Sequence, residues 1–303
     1  MTEKQINAED PLFLVNPNSG KLSSWDKADK IRSIYPGQKV NIVFPNSPDE
    51  SAKISAAAFK EKRLVVACGG DGLANLVAHE AVKHKGTLSI LPMGRGNDFA
   101  KSIGINSTQD LIRALKKPKI HNSRYLNLNF NNSKNICLTS AGVGLLSEAA
   151  FRASKTPVLQ GGLLYAFAAL TSFINLKIHS YEIILDGGKQ LKERLLIVVA
   201  ASSPYAGGGM QIAPEAWRYE NKLNLLYAKE VSRSQAIRLL KKVFSGKHLD
   251  HPKVTNLHIE SCHINTAERT FWAPLVYGDG EYFGNLPVRI SLGKEKLSLL
   301  IPG

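Results

Sequence analysis

The chain has 303 residues, 44% of them hydrophobic, which supplies enough apolar material for two cores and excludes a disordered chain. Its three cysteines, Cys68, Cys137 and Cys262, have no close spacing, which argues against a disulfide framework and against a thiolate zinc site. Lysine and arginine number 39 against 25 acidic residues, a net charge of +14, which points to an anionic partner (nucleic acid, an anionic membrane or a phosphorylated ligand) or to a merely solvated basic surface.

In chain order, residues 12–15 read as a buried strand ended by the turn-forming run Asn16-Pro17-Asn18-Ser19-Gly20. A helix over about 25–35, a strand over 40–44 and a helix over 50–60 follow. A strand over 64–67 leads into Gly69-Gly70-Asp71-Gly72 and a helix to about residue 83. A strand over 88–91 leads into Pro92-Met93-Gly94-Arg95-Gly96. This βαβα rhythm predicts a doubly wound parallel sheet with helices on both faces. Ligands of such sheets sit at the carboxyl ends of the strands, where all three loops fall, so the loops should converge.

The rhythm changes after about residue 122. Strands are predicted over 125–130, 136–140, 181–185, 195–200, 223–227, 257–260 and 288–292, with hairpin turns at Asn131-Asn132 and Asp186-Gly187-Gly188. Helices are predicted over 162–176 and 234–244. The expectation is an α/β protein of two domains: a nucleotide-binding domain over 10–122 and a mostly antiparallel β-sandwich over 123–303. The apolar stretch 163–174 is too short to span a bilayer and reads as a buried helix, and the polar start over 1–10 carries no signal peptide.

Gly69-Gly70-Asp71-Gly72 is the most informative segment. Glycines let a backbone approach a phosphate closely, and the helix that follows adds the positive end of its dipole. An acid in such a cradle needs a bridging cation, or serves as a base for an incoming hydroxyl; the plain alternative is a strand-to-helix turn. Arg95 can neutralise phosphate oxygens, and Asp98 can cap a helix. Late in the chain, Tyr277-Gly278-Asp279-Gly280-Glu281 places two acids on a turn, as base and metal partner or as an ordinary Asp-Gly hairpin. Gly94-x-Gly96 has Phe99 where the dinucleotide fingerprint needs its third glycine.

Taken together, these segments resemble the diacylglycerol kinase catalytic family, which includes sphingosine and ceramide kinases and the bacterial YegS-like lipid kinases. The resemblance runs over nearly the whole chain. It rests on Asn-Pro-x-Ser-Gly at 16–20, Gly-Gly-Asp-Gly at 69–72, Pro-x-Gly-x-x-Asn-Asp-Phe-Ala at 92–100, the run from Gly207 to Pro214, Phe244-Ser245-Gly246-Lys247-His248, and the late Asp-Gly-Glu. It implies a first domain like those of phosphofructokinase and NAD kinase, and final strands that tend to return toward that domain. It implies ATP contacts at Asn16, Pro17, Asn18, Ser19 and Gly20, at Gly69, Gly70, Asp71, Gly72, Leu73, Ala74 and Asn75, and at Arg95, Gly96 and Asn97. It implies magnesium as cofactor and Glu281 as the acid that takes the proton, with Asp71 the other candidate; Asp279, two residues before Glu281, is the third candidate catalytic acid. Phe44 and Arg95 stand where the family often has threonine. Where bacterial members hold a structural magnesium ion with Leu-Asp-Asp-Gly, this chain has Arg218-Tyr219-Glu220-Asn221-Lys222. Glu220 is the candidate ligand there, Lys222 sets a positive charge beside it, and a weak or absent metal is expected.

The expected activity is transfer of the γ-phosphoryl group of ATP to a lipid hydroxyl by a cytoplasmic, peripherally membrane-associated kinase, with an anionic membrane surface as partner and a homodimer left open. Its rivals are a NAD kinase-type small-molecule kinase and a non-catalytic lipid- or nucleotide-binding protein. A nucleic-acid partner is not expected, because no recognition-helix, zinc or RNP-type signal accompanies the charge.

Overall fold

Apolar runs become strands buried on both faces. In the computed structural model, which describes residues 7–155 and 177–303, Leu12, Phe13, Leu14 and Val15 are all buried in β1 (Asn7–Val15). The run Leu64, Val65, Val66, Ala67 and Cys68 is buried in β3 (Arg63–Gly69), after β2 (Asn41–Val43). Continuous burial of this kind is the mark of a parallel sheet covered by helices, and each fully buried aliphatic side chain contributes roughly 1.5–3 kcal/mol. Burial also pushes the Cys68 thiol well above its ordinary pKa, so it is a packing residue.

The helices start where small polar residues cap them. Ser23 and Asp26 form a capping box on α1 (Ser24–Arg32), and Ser47 caps α2 (Pro48–Lys60), which has proline in its first turn. α3 (Asp71–His84) and β4 (Thr87–Pro92) continue the alternation, followed by α4 (Asp98–Ser102), α5 (Thr108–Lys116) and β5 (Pro118–Ser123). The last strand of the chain, β17 (Leu297–Pro302), inserts between β4 and β5, giving the order β2-β1-β3-β4-β17-β5. Ser89 Oγ donates to the Leu300 carbonyl at 2.9 Å there.

The sheet is parallel from β2 through β17, as expected, and the edge strand β5, which was not predicted, runs antiparallel to β17. The helices α4 and α5 carry the chain back, and β5 enters from the opposite end. α1 connects β1 outward to β2, whereas α2 and α3 lead the other way, so right-handed crossovers place α1 on one face and α2 and α3 on the other. The direction reverses between β1 and β3, and a crevice for ligands opens at such a switch point.

The chain divides into two compact units: residues up to Ser123 together with Glu295–Gly303, and Arg124–Lys294. In the second unit β6 (Leu126–Asn129), β7 (Lys134–Cys137), β8 (Ser140–Gly144), α6 (Leu145–Ser154), β9 (His179–Leu185), β10 (Gln190–Ala201) and β11 (Leu223–Lys229) precede α7 (Arg233–Val243). β12 (Val254–Ile259), β13 (Ser261–Asn265), β14 (Leu275–Gly278), β15 (Glu281–Asn285) and β16 (Val288–Leu292) complete it. The eleven strands pair antiparallel in one sheet. Leu126 and Val276, from distant strands of that path, share one core with Val198 and Leu225, so the sheet folds over as a sandwich.

The single strand expected over 136–140 is two strands, β7 and β8. The amides of Leu138 and Thr139 leave the ladder to bind the Asp279 carboxylate at 2.7 and 2.9 Å. The helix expected over 162–176, the apolar stretch 163–174 and the first six residues of the polar start lie outside the described residues. Among the described residues, no helix is long and apolar enough to cross a membrane.

Candidate active site

Three loops meet at the carboxyl ends of β1, β3 and β4. The Asn16 amide donates to the Cys68 carbonyl at 3.0 Å and the Met93 amide to the Gly69 carbonyl at 2.9 Å. The contacts are close enough to require glycine. A Cβ on Gly94 would lie 2.2 Å from Cα of Gly70, and one on Gly20, whose φ is +63°, would lie 2.4 Å from the Met93 carbonyl oxygen. Both neighbours are backbone and cannot turn aside.

The first loop is held from within. Asn16 Oδ1 accepts from the Asn18 amide at 2.9 Å, and Ser19 Oγ donates to the Asn16 carbonyl at 3.0 Å. Lys27 of α1 is fully buried, and its Nζ donates to the carbonyls of Asn16 at 3.0 Å and Pro17 at 2.7 Å. Burial lowers its pKa below the ordinary lysine value. Lys27 braces this loop from below and was not singled out by the sequence analysis, because a lysine in a capped helix reads as solvated. The available signal was Ile31 one turn on, buried on the same face.

The second loop opens α3. Gly70 is the N-cap and supplies no side-chain cap, and the positive end of the α3 dipole lies at this loop. Asp71 stands at the first helical position, and its Oδ1 accepts from the Phe99 amide at 3.3 Å, tying this loop to α4. Leu73 and Ala74 are buried, and the Ala74 amide is used by the Gly70 carbonyl at 3.1 Å, so Ala74 presents neither side chain nor amide to a ligand. Asn75 lies one turn into the helix, half-buried.

In the third loop Asn97, at φ 57°, clamps Gly94 with both ends of its amide, each bond 3.0 Å. Gly96 is half-buried and Arg95 is exposed at the tip. Asp98 is buried and Ser102 Oγ donates to its carbonyl at 2.9 Å.

The late acids belong to the second unit. Asp279 and Gly280, both at positive φ, form the two-residue turn that joins β14 to β15. The Asp279 carboxylate accepts from the amides of Leu138 and Thr139 and from Thr139 Oγ1 at 2.6 Å. Its oxygens thus position the turn. Glu281 opens β15. It keeps accessible surface, yet surrounding atoms remove part of its water, and this with the negative charge of Asp279 raises its carboxyl above the ordinary glutamate pKa.

That shift makes a prediction with a definite sign. If Glu281 acts as a base, activity falls as pH drops through its raised pKa. Asp279→Asn removes the neighbouring negative charge, so the acid limb of kcat/KM should move to lower pH even if the variant melts earlier. A limb that stays in place or moves upward would separate Asp279 from the titration of Glu281.

A three-loop cradle at a switch point, on a chain whose second unit is sandwich-like, defines a two-domain α/β protein with a candidate ligand site at the loops. Residues 10–127 match the diacylglycerol kinase catalytic domain, and residues 139–301 match the YegS C-terminal NAD kinase beta sandwich-like domain. The chain belongs to this family of diacylglycerol and YegS-like lipid kinases, and membership implies ATP as phosphoryl donor.

It is 24% identical over 273 residues to a diacylglycerol kinase of Mycobacterium tuberculosis, covering 87% of this chain and 84% of that one. It is 25% identical over 264 residues to a diacylglycerol kinase of Bacillus subtilis, covering 83% and 85%. The fold resembles the crystal structure of a putative diacylglycerol kinase from Bacillus anthracis, with a TM-score of 0.74 at 19% identity and 97% of each chain covered.

Proposed function

We propose that this kinase transfers the γ-phosphoryl group of ATP to the hydroxyl of a lipid drawn from an anionic membrane surface. The observation that carries the lipid assignment is an apolar cavity in the second unit. Its walls include Leu146 and Ala149 of α6, Leu196 of β10, Leu226 of β11, and Leu239 and Leu240 of α7. A sugar or dinucleotide acceptor would leave its polar groups unpaired against such walls, whereas an acyl chain loses nothing there. His248 also lines the cavity. It is buried and bonded through Nε2 to the Ile212 carbonyl at 3.1 Å, while its Nδ1 has no partner among the described residues. Burial lowers its pKa, which keeps the ring neutral and Nδ1 an acceptor for a ligand hydroxyl.

The membrane assignment is supported by α7, which roofs that cavity. Arg233, Arg238, Lys241 and Lys242 are exposed on it with no acidic residue in the helix, and Ile237 and Phe244 are each 40% exposed. Basic residues near an anionic bilayer each contribute about 1 kcal/mol.

In this reading the loop amides, Arg95 and the dipole of α3 hold the phosphates, and Glu281 takes the proton of the acceptor hydroxyl. A nucleotide-borne magnesium needs only one or two carboxylates besides the phosphates, which Asp71 suits, and when bound it neutralises charge on the transferring group. Among the described residues, no cluster of three or more His, Cys, Asp or Glu could hold a metal by itself.

The acceptor is tested by offering diacylglycerol, phosphatidylglycerol, a sphingoid base, a polyprenol and NAD in parallel. Phosphorylation of a lipid is expected, and Leu240→Gln should raise the KM for that lipid about tenfold while leaving the KM for ATP unchanged, since covering a leucine side chain with an acyl chain is worth up to roughly 1.5–3 kcal/mol. Phosphorylation of NAD alone would overturn the reading.

A further inference from the structure

The family resemblance places a structural divalent cation on the loop at 217–222, and the residues present do not fit one. A hard cation needs several oxygens converging on one point, with carboxylate charge among them. Here Glu220 is exposed, Asn221 and Lys222 are exposed beside it, and the convergent oxygens already have a partner. That partner is Arg124, the first residue of the second unit, immediately before β6. Its Nη1 donates to the Tyr219 carbonyl and, at 3.3 Å, to that of Lys222, and its Nη2 donates to the Trp217 carbonyl at 3.4 Å. One guanidinium therefore collects three carbonyls of a single six-residue loop. Glu220 is near enough for its negative charge to act on the same group.

We propose that the Arg124 guanidinium stands in for the structural cation, so that this loop is organised by a fixed internal positive charge and needs no divalent ion. The chemistry suits the replacement. A guanidinium is planar, carries five donors, and stays charged at all working pH values, so it can bridge several carbonyls as a metal would. A cation bound to the same oxygens would face that charge at contact distance, so the two arrangements exclude each other.

The loop is worth holding because of what it leads to. Trp217 Nε1 donates to the Ser202 carbonyl at 2.9 Å, and the Tyr219 ring meets His258 of β12 edge-on with centroids 4.6 Å apart. The loop then runs directly into β11, which supplies Leu226 and Ala228 to the apolar cavity. The inference does not depend on the lipid assignment, since it concerns only the second unit's own carbonyls.

The test is thermal melting of the full chain without nucleotide, in EDTA and in millimolar magnesium or calcium. The wild type should melt at the same temperature in all three. Arg124→Met should melt about 2–4 °C lower or more, the shift expected for losing roughly 1 kcal/mol in a unit of this size. Divalent ions should recover part of that loss, because the carbonyls are vacated. Should Arg124→Met fail to fold, the wild type and Glu220→Gln decide the matter. Saturable stabilisation of the wild type by magnesium that Glu220→Gln abolishes would overturn the proposal, as would an Arg124→Met variant that melts like the wild type. Insensitivity of both the wild type and Glu220→Gln to the ions supports it.

Discussion

Glu281→Gln should bind ATP as the wild type does and lose about 10²-fold or more in turnover, the usual scale for removing a general base. The expectation rests on where the acid stands and what surrounds it. Glu281 follows a turn whose two residues both need positive φ, and the Asp279 carboxylate anchors that turn to Leu138 and Thr139 with three hydrogen bonds. The side chain is therefore presented from a fixed backbone. Partial loss of water and the charge of Asp279 raise its pKa, which makes it a stronger proton acceptor than an ordinary glutamate. Glutamine keeps the volume and removes the basicity. The kinetic signature is a fall in kcat at saturating ATP and lipid with the KM for ATP unchanged. Near-normal kcat would transfer the base role to Asp71, which stands at the first position of α3 and accepts from the Phe99 amide.

Gly94→Ala should damage nucleotide binding instead. Its new Cβ would lie 2.2 Å from Cα and 2.8 Å from N of Gly70, so the loops after β3 and β4 must part. Asn97 Oδ1 would also meet that Cβ at 3.0 Å, straining the clamp that shapes the third loop. A displacement of about 1 Å in groups that position a reacting phosphate costs on the order of 10²-fold in rate. We expect kcat/KM for ATP to fall by about that factor, chiefly through KM, while melting of the second unit is unaffected. An unchanged KM for ATP would mean that the cradle does not hold phosphate.

The first unit was the easier half to read. Residues 12–15 and 64–67 are continuous apolar runs because both faces of their strands are covered, and the turn chemistry after each run marks the loops that the structure brings together. The return of the final strands was implied by the resemblance, but local pattern carries no sign that β17 enters between β4 and β5 or that β5 pairs with it as an antiparallel edge. In the second unit, nothing near residues 136–140 announces that the amides of Leu138 and Thr139 will be taken by Asp279, so one expected strand became two. Charged residues that act from inside were missed for the same reason. Lys27 and Arg124 look like ordinary members of a basic surface, and only the carbonyls they gather distinguish them. The Asp-Gly hairpin at 279–280 was legible as a turn, while its anchoring of Glu281 was not.

The central claim is met most directly by incubating the purified protein with magnesium, γ-labelled ATP and a total lipid extract, and following the label into the organic phase. The account predicts a labelled phospholipid product that Glu281→Gln and Gly94→Ala both suppress. Label that remains entirely in the aqueous phase, or a lipid product formed equally by Glu281→Gln and Gly94→Ala, would contradict it.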